Sequence, residues 1–150
     1  MCVIVDANIA ALVFRLNPPP EYAQVMRWLL GREGRLVLGG RNRHELQKVG
    51  AAARTIRRLA VAGKAAAQAD DMVNEEKRRV KKAGLCRSDD SHVIALARVS
   101  GARTLCSEDQ ALHADFTNRE LVNSPRGRIY QNATHKRLLR HTSGCPGRRR

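Results

Sequence analysis

Carboxylates are scarce in this basic chain, and several of them stand in short motifs that suit metal chemistry. The motifs are VDAN at 5–8, RHEL at 43–46, DDSHVIALA at 89–97 and TLCSED at 104–109. Clustered carboxylates repel one another, so a cluster needs a compensating charge. Divalent cations supply that charge, and a pair of cations held by shared carboxylates promotes hydrolysis of a phosphodiester. The motifs therefore point to metal-assisted hydrolysis as one possible chemistry.

Each acid taken alone also has a structural explanation. Asp6 could cap the helix that follows it, and Asn42 with Glu45 could form a capping pair. The segment 107–110 has the form of a capping box, and residues 89–90 could be acids of a first helical turn. These alternatives stay open for each residue, and only the joint pattern favours a shared site.

The charge balance indicates a polyanionic partner. Lys and Arg number 28 against 14 Asp and Glu, which gives a net charge of +14. Aromatic residues make up only 3% of the chain, which disfavours modules that stack bases on exposed rings. We therefore expect contacts with nucleic-acid phosphates rather than with base faces.

Several other classes of protein are disfavoured. No apolar stretch approaches the roughly 20 residues of a membrane-spanning helix, so no membrane partner is expected. The apolar opening contains an aspartate and lacks a basic start, so it is a poor signal peptide, and a cytoplasmic location is predicted. The four cysteines form no CxxC pair, which argues against zinc and against a disulfide framework and favours reduced thiols.

Short apolar runs alternate with helical patterns along the chain. Strands are predicted at 2–5, in RLVLGG at 35–40, in ARTLCS at 102–107 and in RGRIYQ at 126–131, the last at a sheet edge. Helices are predicted at 7–14, at 21–30, over most of 41–84 with breaks near Gly50 and Gly63, at 92–99, and from Ser107. This order predicts an α/β fold with three layers, α/β/α, around a parallel sheet of about four to five short strands.

The four motifs, in this order and at these separations, resemble the PIN-domain family. The resemblance runs from about residue 2 to residue 131, although each motif alone has low specificity. It implies a PIN-like nuclease domain at 1–131, followed by a basic tail at 132–150. For the tail, a solvated or disordered extension is favoured over the possible helix at HKRLLRH.

Carried over by motif, the resemblance implies that Asp6, Glu45, Asp90 and Asp109 are the catalytic, metal-binding acids. Asp115 is a candidate ligand of a second metal, with a solvated helix end as the alternative. Asn8 and Ser107 are expected to orient the acids or a substrate phosphate. His92, on an apolar helix, is interpreted as a hydrogen-bonded core residue rather than a ligand.

The implied activity is that of an endoribonuclease requiring Mg²⁺ or Mn²⁺ and acting on single-stranded RNA. Small PIN domains include toxins of toxin–antitoxin pairs, so an antitoxin protein and a homodimer are possible partners. Two alternatives stay open: a catalytically inactive nucleic-acid-binding module, and a nuclease directed at DNA, which the same chemistry permits. The sequence does not identify the target.

Overall fold

A computed structural model, which describes residues 2–140, has a parallel five-stranded sheet in the order β3-β2-β1-β4-β5. The strands are β1 (Cys2–Val5), β2 (Arg35–Gly39), β3 (Ala65–Gln68), β4 (Thr104–Cys106) and β5 (Arg128–Tyr130). Helices flank the sheet, so the predicted three-layer α/β/α fold is confirmed.

The helices largely follow the predicted periodicity. They are α1 (Ala7–Val13), α2 (Pro20–Leu30), α3 (Gly40–Gln47), α4 (Gly50–Val61), α5 (Asp70–Ala83), α6 (Ser91–Ser100), α7 (Gln110–Thr117) and α8 (Arg137–Arg140), with a 3₁₀ turn at Ala133–His135. The buried helix predicted at 92–99 is confirmed as α6. The helix predicted from Ser107 begins only at Gln110, because Asp109 rather than Ser107 caps it.

Alternating side chains of β1 build the two cores. Val3 and Val5 pack on one face of the sheet with residues of α1, α2 and α4. Cys2 and Ile4 pack on the other face with α5, α6 and α7. Because successive strand residues point to opposite faces, a central strand with both faces covered is apolar throughout, and β1 has this composition.

Strand β3 is the element that the sequence did not predict. The helix-rich interpretation of 41–84 is wrong at residues 65–68, where Ala65, Ala66, Ala67 and Gln68 pair with β2. Alanine favours helices and is depleted in strands, so this segment carries no strand signal of its own. Gly39 permits the close pairing, since a Cβ there would lie 3.0 Å from the Gln68 Cβ. Tertiary packing therefore decides this strand.

The described part of the predicted tail packs on the domain. Leu139 is 3% exposed and belongs to the core beneath α1 and α2, and Leu138 packs against it. Leu138 and Leu139 therefore pack on the domain instead of extending into solvent, and α8 agrees with the helix considered there. The boundary after residue 131 stays a prediction, and 141–150 lie outside the described residues.

Two sequence-based expectations concern chemistry outside the acids. Cys86 and Cys106 are free thiols, whereas Cys2 is disulfide-bonded, so the expectation of reduced thiols is wrong for Cys2.

Within residues 2–140, no helix has the length and apolar character needed to cross a membrane.

Candidate active site

Asp6 and Asp109 follow two adjacent central strands. Strands β1 and β4 pair in parallel with Val5 opposite Cys106, and the Asp6 amide donates to the Cys106 carbonyl at 2.9 Å. Asp6 therefore leaves the sheet beside Ser107, and Asp109 comes shortly afterwards. The carboxyl ends of parallel strands share one edge, where sites of α/β sheets form.

Ser107 connects these two acids through a buried hydroxyl. Its Oγ donates to Asp6 Oδ2 at 2.8 Å and accepts from the Asp109 amide at 3.1 Å. Ser107 is 0% exposed, so water does not compete for these hydrogen bonds. Ser107 thus contacts Asp6 directly, while a contact between Ser107 and a phosphate stays a prediction.

Helix α3 brings Glu45 to the same edge of the sheet. Gly40, with a φ of 57°, makes the turn out of β2, a conformation that favours glycine, and its amide donates to Asp70 Oδ1 at 2.9 Å. The side-chain amide of buried Asn42 donates to the Val5 carbonyl at 3.0 Å. Asn42 therefore anchors α3 to the end of β1, immediately before Asp6.

Asp90 is positioned by the segment that precedes α6. Asp115 accepts hydrogen bonds from the backbone amides of Arg87 and Ser88, at 2.8 and 2.9 Å, and from Ser88 Oγ at 2.6 Å. Ser88 Oγ in turn accepts from the Asp90 amide at 3.3 Å. Asp115 therefore fixes the backbone that leads to Asp90.

This arrangement overturns one of the two roles considered for Asp115. The residue is 2% exposed, so a solvated helix end is wrong. Both carboxylate oxygens are already hydrogen-bonded to 87–88, and a role as ligand of a second metal stays a prediction. Asn8 lies exposed on α1, next to Asp6 in the chain.

The four acids act on one another electrostatically. Burial raises the pKa of Asp6, and the nearby charge of Glu45 adds to the rise, while the hydrogen bond from Ser107 opposes it. Burial, together with the charges of Asp6, Asp109 and Glu45, raises the pKa of Asp90 to about 6. A hydrogen bond between the Asp90 and Asp109 carboxyl groups contributes to that rise. The structure therefore places Asp6, Glu45 and Asp109 close enough to Asp90 for their charges to act on it.

Helix capping is geometrically complete at only one of these acids. Asp6 and Asp90 precede α1 and α6 without a side-chain cap hydrogen bond, although the backbone amides of Asn8 and Ala7 favour the charged form of Asp6 and act to lower its pKa. Glu45 lies inside α3, which begins at Gly40, so the proposed capping pair is wrong. Asp109 does cap α7, accepting a backbone amide of its first turn at 3.2 Å. Asp109 thus combines a capping role with a place among the acids.

His92 borders the acids from within α6. It is 1% exposed, yet neither ring nitrogen has a hydrogen-bond partner among the described residues. The predicted core position is therefore confirmed, whereas the expected hydrogen bond is absent among the described residues. Its Nε2 lies 4.0 Å from Glu45 Oε2, and burial lowers its pKa to about 4. A neutral imidazole thus lies beside Glu45.

The donor chemistry suits a hard divalent cation, although the side chains are not arranged around one. Within residues 2–140, no group of three or more His, Cys, Asp or Glu side chains has the geometry to hold a metal ion. Without a cation, the carboxylates repel one another and share a hydrogen bond instead. The four acids fit a divalent cation in their donor chemistry, because all four offer carboxylate oxygens. Coordination would require rotation of their side chains.

Sequence reasoning missed Asn42 and Asp115 as positioning residues. Both occupy the apolar faces of their helices: Asn42 precedes buried Leu46 by one turn, and Asp115 lies between Leu112 and Phe116 at helical spacing. A polar residue on an apolar face must find a buried partner, and this signal could have identified both.

Comparison with known proteins leaves the family undecided. No protein-family model matches the chain, and neither curated proteins nor solved structures give a significant match.

Proposed function

We propose that this protein is a metal-dependent endoribonuclease of the PIN type, acting on single-stranded RNA with Mg²⁺ or Mn²⁺. The observation that carries the proposal is the convergence of Asp6, Glu45, Asp90 and Asp109 at the carboxyl edge of a parallel sheet. These acids come from four separate segments of the chain. A side-chain cap hydrogen bond is formed by Asp109 and not by Asp6 or Asp90, so a shared function explains their proximity better than capping does.

The electrostatics support a cation at this edge. Burial and the charge of Glu45 raise the pKa of Asp6, and burial and the charges of Asp6, Asp109 and Glu45 raise that of Asp90, so the charged forms of these two acids destabilise the metal-free fold. A bound cation would favour the charged forms of Asp6 and Asp90 and would remove the repulsion between them. When bound, the ion would supply charge stabilisation and activation of water for phosphodiester hydrolysis.

The chain's own residues divide the remaining tasks. Asp6, Glu45, Asp90 and Asp109 would hold the cation. Ser107 would keep the Asp6 carboxylate aligned through its 2.8 Å hydrogen bond. Asp115, through Ser88, would fix the backbone that precedes Asp90. The surrounding Lys and Arg side chains would attract the phosphates of the RNA backbone.

The test is cleavage of labelled single-stranded RNA, and of DNA of the same sequence, by the full-length protein. We expect RNA cleavage with Mg²⁺ or Mn²⁺ and none with chelator. Preferential cleavage of DNA would contradict the assigned substrate. Metal binding without cleavage of either polymer would contradict the enzymatic proposal, and RNA binding that does not respond to metal would favour an inactive binding module.

A further inference from the structure

A cavity of about 330 Å³ opens beside the acid cluster. Its lining includes Arg41 and Lys81, together with Ser88, Asp89 and Ser91. Asp89 and Ser91 flank Asp90 in the chain, and Arg41 forms an ion pair with Glu45 at 2.6 Å. The cavity and the acid cluster therefore share a boundary at two of the four acids.

Cations converge on this cavity from two helices. Arg41 comes from the start of α3 and Lys81 from the last turn of α5. Lys77 lies close to both, since its pKa is lowered by burial and then by the charges of Lys81 and Arg41. Like charges held together in this way are stabilised by an anion between them. Two carboxylates oppose these cationic side chains: Asp89, which is exposed and belongs to the lining, and Glu45, which pairs with Arg41 and acts to raise the pKa of Lys77.

Ser91 gives the cavity a polar group without a protein partner. Its side chain is 3% exposed, and its Oγ has no hydrogen-bond partner among the described residues. A buried hydroxyl is normally satisfied by protein, water or ligand. Ser91 belongs to the same lining as Arg41 and Lys81, so an anionic oxygen bound in the cavity would be a suitable acceptor for its hydroxyl.

We propose that this cavity binds an internal phosphate of the RNA chain, next to the phosphodiester that the acid cluster hydrolyses. Arg41 and Lys81 would neutralise the phosphate, and Ser91 Oγ would donate a hydrogen bond to it. The inference rests on the proposed function for the identity of the polyanion. It adds a defined substrate subsite outside the acids, and it explains the unsatisfied hydroxyl of Ser91.

The experiment measures affinity of the full chain for a fluorescent single-stranded RNA, with Ca²⁺ replacing Mg²⁺ and over a range of salt concentrations. Lys81→Gln is expected to weaken binding and to flatten the slope of log K against log salt by about 0.7, the contribution of one phosphate. Lys82→Gln is the matched control, because Lys82 is the next residue of α5 but lies outside the lining. Equal effects of the two substitutions would overturn the proposal.

Ser91→Ala separates a built subsite from diffuse positive charge. The variant removes no protein hydrogen bond, so it should fold normally. Losing a hydrogen bond to a charged phosphate should weaken binding by about tenfold, with no change in the salt slope because serine is neutral. Unchanged affinity would contradict the subsite. Asp89→Asn should act in the opposite direction and tighten binding.

Two further experiments show whether the bound phosphate is internal or terminal, and whether the subsite and the nuclease activity stand or fall separately. RNAs with and without a terminal phosphate should lose affinity equally with Lys81→Gln, and a loss confined to the terminally phosphorylated RNA would contradict an internal subsite. If wild type cuts no RNA but Lys81→Gln and Ser91→Ala weaken binding as described, the subsite stands and the nuclease proposal fails. If wild type cuts RNA but Lys81 and Lys82 are equivalent, the reverse holds.

Discussion

The two ends of the parallel strands carry opposite charge: acids lie at the carboxyl ends (the carboxyl edge of the sheet), and arginines lie at the amino ends (the amino edge). At the carboxyl edge, burial and the neighbouring carboxylates raise the pKa values of Asp6 and Asp90, and Ser107, Asn42 and Asp115 position the acids or the backbone beside them. At the amino edge, Arg103 precedes β4 and Arg128 begins β5. There, arginines line a cavity of about 400 Å³; they are Arg103, Arg126, Arg128 and Arg137.

The difference lies in how replaceable each side chain is. Arg126, Arg128 and Arg137 are exposed, and water and salt screen exposed charges, so one arginine can substitute for another. The acids lie where water is partly excluded, and each has its own fixed neighbours. Organisation, rather than the amount of charge, therefore distinguishes the candidate active site from a surface that attracts polyanions.

The largest expected effect is from neutralising an acid. Asp6→Asn and Asp90→Asn should each reduce RNA cleavage by more than about a hundredfold, the upper range seen for outer-sphere partners of metals. Asn has almost the same side-chain volume as Asp, so circular dichroism should show that both variants are folded. Glu33→Gln, at an exposed acid, is the control. Wild-type rates in both Asp variants would place the active site elsewhere.

Loss of the Ser107 hydroxyl should have an intermediate effect. Ser107→Ala leaves buried Asp6 without its 2.8 Å hydrogen bond, a loss worth about 1–2 kcal/mol, so kcat/KM should fall by about tenfold. Ser100→Ala removes a buried hydroxyl that accepts from the Ala102 amide at 3.1 Å and controls for stability. If the two variants cut RNA equally well, the bond to Asp6 does not matter for activity.

A pH effect on stability should follow from Asp90. Its pKa in the folded protein, about 6, lies above the ordinary value of 3.8. The protonated carboxyl therefore stabilises the metal-free fold below 3.8, and this contribution is lost as pH rises through about 6. Asp90→Asn should thus gain in Tm relative to wild type between about pH 4 and about pH 7.5.

The measurement is a series of thermal melts in chelator, with Asp89→Asn as the control at an adjacent exposed position. The Tm of Asp89→Asn should differ from that of wild type by the same amount at every pH. A constant Tm difference for Asp90→Asn as well would contradict the rise in the Asp90 pKa that burial and the neighbouring acids cause.

The smallest effect is expected at the amino edge. Arg128→Gln should leave the cleavage rate at saturating RNA unchanged. It should weaken RNA binding less than Lys81→Gln does, because the neighbouring arginines still attract the RNA phosphates. Binding and single-turnover assays on both variants test the comparison. A larger loss of affinity in Arg128→Gln would show that the amino edge, and not the cavity beside the acids, carries the substrate.

The sequence predicts the elements whose patterning matches their burial. Strand β1, with both faces covered, and helix α6, buried along most of its length, follow directly from apolar runs. Strand β3 did not, because Ala65–Gln68 forms a strand only through pairing with β2. Local propensity fails where a neighbouring strand supplies the stabilisation.

For the candidate site, motif spacing predicted which acids would meet, and their convergence follows from the parallel topology. The supporting contacts were not predictable in the same way. Asn42 reaches the Val5 carbonyl and Asp115 reaches the 87–88 backbone across distances in sequence that no local pattern encodes. The assigned roles of the acids stay predictions until metal binding is measured.

Calorimetric titration of the metal-free protein with Mn²⁺ tests the central claim most directly. Wild type and Glu33→Gln should bind Mn²⁺, whereas Asp6→Asn and Asp90→Asn should lose most of the binding heat and affinity, because each removes one charge from the acid cluster. No binding to wild type, or equal binding to all four proteins, would contradict a metal site at the carboxyl edge of the sheet.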